Sequence, residues 1–118
     1  MARLTEEAKS IIAGGAPALI ATSSMNGKSH VSIKGSFRVL DEERIVFVDI
    51  DSPRTMANLK DNPQLSTMVF DPEVGQSCRI WGKAEILTKG ELFDSVVADL
   101  GKKAKRLVLV TVGEVEVF

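Results

Sequence analysis

Five consecutive residues carry the clearest chemical signal: Asp51-Ser52-Pro53-Arg54-Thr55. Ser52 is a good helix N-cap, and Pro53 suits the first helical position. A helix start presents unpaired backbone N–H groups and the positive end of the helix dipole. The Arg54 guanidinium and the Thr55 hydroxyl beside it would complete a site for a phosphate dianion. The same residues also fit an ordinary capped helix with a solvated arginine, and local sequence does not separate the two readings. Asp49 and Asp51 sharpen the question. Carboxylates repel a phosphate unless they point away or pair with a cation, and an Asp49–Arg54 or Asp51–Arg54 pair would account for Arg54 without any ligand.

Other chemistry is sparse. The single histidine, His30, sits beside a turn and cannot build a histidine metal cluster. No Gly-x-Ser-x-Gly elbow supports a serine triad, no Gly-x-Gly-x-x-Gly follows a strand, and no Walker loop occurs. The chain lacks tyrosine, and its few aromatics form no stacking platform for nucleic acid. With a net charge of −1 there is no bulk attraction to nucleic acid or anionic membranes, so any anion site must be local. The basic run Lys102-Lys103 with Lys105-Arg106 reads as a solvated face or as the rim of such a site. Cys78 has no partner for a disulfide and reads as a small buried residue in a reducing compartment. The N-terminus is charged and without an apolar signal core, and no stretch approaches the ~20 apolar residues of a membrane span. A soluble, cytoplasmic protein is expected. Redox activity would require a bound organic cofactor.

The positioning elements can be read from periodicity. Residues 1–118 read as one domain, with 44% hydrophobic residues to build a core. Thr5 caps a helix through about Ala13, and Gly14-Gly15 ends it. Ala18–Ser23 and His30–Gly35 read as strands joined at Asn26-Gly27, a strong hairpin signal. Phe37–Leu40 continues in extended form. Arg44–Ile50 is the next strand, leading into a Pro53–Asp61 helix whose Met56 and Leu59 face a core. Leu65–Phe70 and Ser77–Leu87 are strands, with Gly82 marking a bulge or a close backbone approach. Thr88-Lys89-Gly90-Glu91 fits a capping box for a helix that Gly101 can close. Leu107–Phe118 forms the last strand region. Short connections and hairpins predict a mainly β protein, an antiparallel barrel with peripheral helices.

In this order and spacing the segments resemble the flavin-binding split-barrel family related to pyridoxamine 5′-phosphate oxidase, in particular its small FMN-binding proteins. The resemblance rests on Ala18-Leu19-Ile20-Ala21-Thr22, the Asn26-Gly27 hairpin, His30-Val31-Ser32-Ile33-Lys34-Gly35 and Arg44-Ile45-Val46-Phe47-Val48. Ser52-Pro53-Arg54-Thr55-Met56-Ala57-Asn58-Leu59, Asp61-Asn62-Pro63 and Ile80-Trp81-Gly82-Lys83-Ala84-Glu85-Ile86 complete it. It implies a six-stranded antiparallel split β-barrel, a homodimer, and FMN at the subunit interface. Arg54 and Thr55, with Ser52 nearby, match the positions that hold the FMN phosphate. Ser32, Ile33 and Lys34 match the strand along the isoalloxazine and ribityl groups, and Val48, Asp49 and Ile50 the strand end whose backbone faces the ring. Lys34 near the pyrimidine end would stabilise anionic reduced flavin. The long oxidases of this family carry a further Arg-containing C-terminal segment for pyridoxamine phosphate. Nothing like it precedes Phe118, so that activity is not expected. The expected function is an FMN-dependent oxidoreductase or electron-transfer protein. Rivals are a member of the fold that binds deazaflavin (F420) or haem, and a flavin-storage module without turnover.

Overall fold

The computed structural model describes residues 2–100 and 104–118. The predicted helix stop at Gly101 and the Lys102-Lys103 half of the basic run lie outside these residues. Three helices and seven strands alternate as α1 (Glu6–Ala13), β1 (Ala18–Ser23), β2 (Ser29–Lys34), β3 (Arg38–Asp41), β4 (Arg44–Asp49), α2 (Pro53–Asp61), β5 (Gln64–Asp71), β6 (Gln76–Leu87), α3 (Glu91–Leu100) and β7 (Arg106–Val117). The strands form one antiparallel sheet in the order β2-β1-β5-β6-β7-β4-β3. This is the split-barrel class, with one strand more than the six expected. The extra strand arises at Gly35-Ser36, where the chain turns instead of running on. β3 then pairs with β4 rather than prolonging β2. The Ser36 hydroxyl accepts the Val48 N–H at 3.0 Å, supplying a partner at the end of that ladder.

β4 and β7 show why the sheet curls. Ile45 and Phe47 of β4 face the main core, with Val108 and Val110 of β7. Val46 and Val48 face the other way, into a second cluster with Leu107, Leu109 and Val96 of α3. A strand covered on both faces reads as a continuous apolar run, as Ile45–Val48 does. Gly82 meets both sequence expectations. The β6–β7 register shifts there, with Trp81 opposite Glu114 and Gly82 opposite Val112. A Cβ on Gly82 would lie 2.5 Å from Val110 Cγ1 and 2.7 Å from the Thr111 carbonyl oxygen. The capping box reading fails. α3 begins at Glu91, and Asp94 N–H bonds the Gly90 carbonyl at 2.9 Å, which makes Gly90 the cap rather than Thr88. Among the described residues no helix is long and apolar enough to cross a membrane.

Candidate cofactor site

α2 lies over β1 and β2 because its buried face is Thr55, Met56 and Leu59. Two polar contacts fix its placement: Asn58 Nδ2 donates to Thr22 Oγ1 at 3.1 Å, and the hydroxyls of Ser32 and Thr55 are 3.2 Å apart. On β2 the side chains alternate. Ser32 and Lys34 are half-buried toward α2, whereas Val31 and Ile33 point outward and are exposed. The end of β2, the end of β4 and the start of α2 therefore meet.

A cavity of about 570 Å³ opens where they meet. Ile33, Val48 and Ile50 give it apolar walls; Lys34, Asp51 and Ser52 give it polar ones. Gly35 and Ser36 complete the lining, and their share follows from the turn that sequence reasoning read as strand.

Lys34 is the best-held cation at this cavity. Its side chain is 11% exposed, so the ammonium is largely out of water. It donates to Ser52 Oγ and stands 3.9 Å from Asp49 Oδ1. Asp49 is wholly buried and takes a second cation, Arg106, whose Nη1 donates to Oδ2 at 3.0 Å. The possible Asp49–Arg54 pair is thus replaced by Asp49 with Arg106 and Lys34. The Asp51–Arg54 pair does not form either; Arg54 takes part in none of the ion pairs among the described residues. In the sequence Arg106 is one member of a basic run, and nothing local pairs it with Asp49. Its role follows from register, since it lies opposite Asp49 across β4 and β7.

The residues expected at the cofactor fall into four groups. Ile33, Lys34, Val48, Ile50 and Ser52 line the cavity. Ser32 and Thr55 bond each other behind it, and Thr55 has no exposed surface, so its hydroxyl supports Ser32 rather than offering a free donor. Arg54 is exposed on the first turn of α2 and is not part of the cavity wall. Asp49 sits behind the wall as a buried counter-charge. Ser52 does occupy the N-cap position, but its side chain makes no cap bond, because its hydroxyl is turned to Lys34. The first N–H bonded within α2 is that of Met56, to the Ser52 carbonyl at 3.0 Å. The N–H groups of Arg54 and Thr55 precede it, in the turn that helices leave without intrahelical partners. Away from this site, burial pushes the Cys78 thiol up to about 11, so it stays protonated and unreactive at neutral pH.

An apolar slot ending at a helix start and a desolvated ammonium suits a flat ring that carries an anionic tail. The family pattern of pyridoxamine 5′-phosphate oxidase matches residues 4–117 of the chain. The chain belongs to this family. Among solved structures, a HupZ from Group A Streptococcus superposes with a TM-score of 0.85 at 23% identity, covering 95% of this chain and 91% of that one. An FMN-binding protein from Syntrophomonas wolfei gives 0.82 at 17% identity, with 95% and 84% covered. HutZ, a haem storage protein from Vibrio cholerae, gives 0.70 at 22%, with 98% and 94% covered. These three share the fold of this pyridoxamine 5′-phosphate oxidase family member. No curated protein matches the chain in sequence.

Proposed function

We propose that this protein is a cytoplasmic, homodimeric FMN-binding flavoprotein, a small oxidoreductase or electron-transfer protein. The observation that carries the reading is the cavity at the start of α2. It joins apolar walls from Ile33, Val48 and Ile50 to the Lys34 ammonium and the Ser52 hydroxyl. Apart from the exposed Asp51 carboxylate, which also lines the cavity, the residues present fit FMN. A phosphate would be held at the first turn of α2 by backbone N–H groups, Ser52 and the Arg54 guanidinium. The ring would lie against the apolar walls, with Lys34 beside it. When bound, the flavin supplies the redox chemistry; the protein orients it and tunes it through charge.

The second copy is proposed to cover the outer face of β1 and β2. Leu19 and Ile33 lie opposite each other across those strands, Val31 lies opposite Ala21, and Leu19, Val31 and Ile33 are all exposed. Ile33 belongs to both this face and the cavity wall. A partner seated here would lie against the cofactor, so each would stabilise the other by mass action.

Titrating the purified apo protein with FMN is expected to quench flavin fluorescence at one FMN per chain. Absence of binding at high micromolar FMN would sink the reading. The absorption spectrum of protein purified from cells separates flavin from deazaflavin and from haem. Sedimentation with and without FMN is expected to show a dimer that FMN reinforces. A holo protein that stays monomeric at tens of micromolar would remove the shared interface.

A further inference from the structure

Asp49 is the one charged residue that is fully buried among the described residues, and its Oδ1 has no hydrogen-bond donor. A carboxylate taken out of water is costly unless its oxygens are paired. Arg106 satisfies Oδ2 at 3.0 Å. Among the described residues, the cation that faces Oδ1 is the Lys34 ammonium at 3.9 Å, beyond hydrogen-bond reach and donated to Ser52 instead. The ammonium thus stands between two acceptors: a neutral hydroxyl on the cavity wall and a buried carboxylate behind it. Lysine carries three donors on a flexible four-carbon stem. A shift of about 1 Å would bring it to the ~2.8 Å typical of a charge-assisted bond with Asp49.

We propose that Asp49 is a positioning residue for Lys34, and that its charge sets how much of the ammonium's field reaches the cavity. On Ser52 the ammonium serves the cavity. Drawn onto Oδ1, it is cancelled. A ligand group that gains negative charge holds it forward more firmly than a neutral one does. The inference rests on the flavin reading above. Oxidised flavin has a neutral ring, and two electrons with one proton from a chemical reductant give an anionic one. Asp49 is then the residue that restrains the preference for reduced flavin.

The test is a reductive titration of FMN-loaded wild type, Asp49→Asn, Lys34→Met and the double variant against a reference dye, preceded by FMN fluorescence titrations of each. Asp49→Asn is expected to favour reduced over oxidised FMN by roughly tenfold, which for a two-electron couple raises the midpoint by about 30 mV. In the Lys34→Met background the same change is expected to do much less. Equal shifts in both backgrounds would mean that Asp49 acts on the ring without Lys34, and would overturn the proposal. An unmoved midpoint would leave Asp49 as a structural partner of Arg106, and would overturn it too. Failure of wild type to bind FMN would overturn the cofactor reading and this inference with it; binding with a wrong midpoint pattern overturns this inference alone. Should Asp49→Asn not fold, Ser52→Ala takes its place. Without the forward acceptor the ammonium should drop onto Asp49 and the midpoint should fall; a rise or no change would refute the proposal.

Discussion

Two helices in this protein start with a hydroxyl residue at the N-cap, and they use it in opposite ways. At α1 the Thr5 hydroxyl accepts the Ala8 N–H at 3.1 Å, and Glu6 and Glu7 fill the first turn. That end is closed: an orphan donor is satisfied and the positive dipole is met by negative charge. At α2 the Ser52 hydroxyl makes no cap bond, and the first turn holds no acidic residue, only Pro53 followed by Arg54. That end is open and positive. The difference comes from Lys34, eighteen positions earlier in sequence, whose ammonium claims the Ser52 oxygen. A cap residue therefore marks where a helix starts, while its spatial neighbours decide whether that start is spent on the fold or left for a ligand.

Removing the lysine breaks the contrast most severely. Lys34→Met takes away the largely desolvated cation at the cavity and leaves Asp49 with Arg106 alone. FMN affinity is expected to fall by roughly 2–4 kcal/mol, as for loss of a buried charge-assisted contact. Fluorescence titration reads the loss, and an unchanged dissociation constant would take Lys34 out of the site. Arg54→Ala is expected to cost less, about 1 kcal/mol, because the guanidinium is exposed and screened by water and salt. The loss should appear with FMN and not with riboflavin, which lacks the phosphate. Equal losses for both ligands would mean that Arg54 supports the fold instead.

The sequence carried the local part of this architecture well. Thr5 and Gly14 bounded α1, Asn26-Gly27 made the β1–β2 turn with Gly27 at φ 88°, and the strand expected over Arg44–Ile50 is β4. At the site, Ser52 was legible as the residue that opens a readable helix, whereas Lys34, Val48 and Ile50 were named through the family resemblance; all four line the cavity. What escaped depended on distant pairing. Gly35-Ser36 is a turn because β3 bonds β4, a choice not written in the alternation of His30–Lys34. Arg106 meets Asp49 across fifty-seven positions, so local charge pattern favoured the nearer Arg54. Thr55 looked like a free donor because it follows Arg54 at a helix start, whereas helix periodicity turns it inward with Met56 and Leu59.

At the closed end the prediction concerns stability alone. Thr5→Ala removes the hydroxyl that holds the Ala8 N–H and is expected to cost about 1 kcal/mol of unfolding free energy. FMN affinity should not change, since α1 contributes nothing to the cavity wall. Chemical denaturation of the apo protein beside an FMN titration separates the two effects. A weaker FMN site in Thr5→Ala would mean that the two helix starts are coupled.

The matching change at the open end should give the reverse. Ser52→Ala at an N-cap ordinarily costs about 1 kcal/mol, but that figure reflects a side-chain cap bond, and Ser52 makes none. Its backbone carbonyl, which accepts the Met56 N–H, is untouched. What is lost is the acceptor for Lys34, and that loss is offset when the ammonium moves onto the unpartnered Asp49 oxygen. Apo stability is therefore expected to change by only a few tenths of a kcal/mol, within the range of ordinary surface substitutions. FMN binding should weaken more than stability does, because Lys34 is drawn back and one hydroxyl donor disappears. Parallel denaturation and FMN titration of Thr5→Ala and Ser52→Ala make a crossed comparison. If Ser52→Ala lost as much stability as Thr5→Ala and kept its FMN affinity, then α2 would be an ordinary capped helix, and the open helix start would have no role in binding.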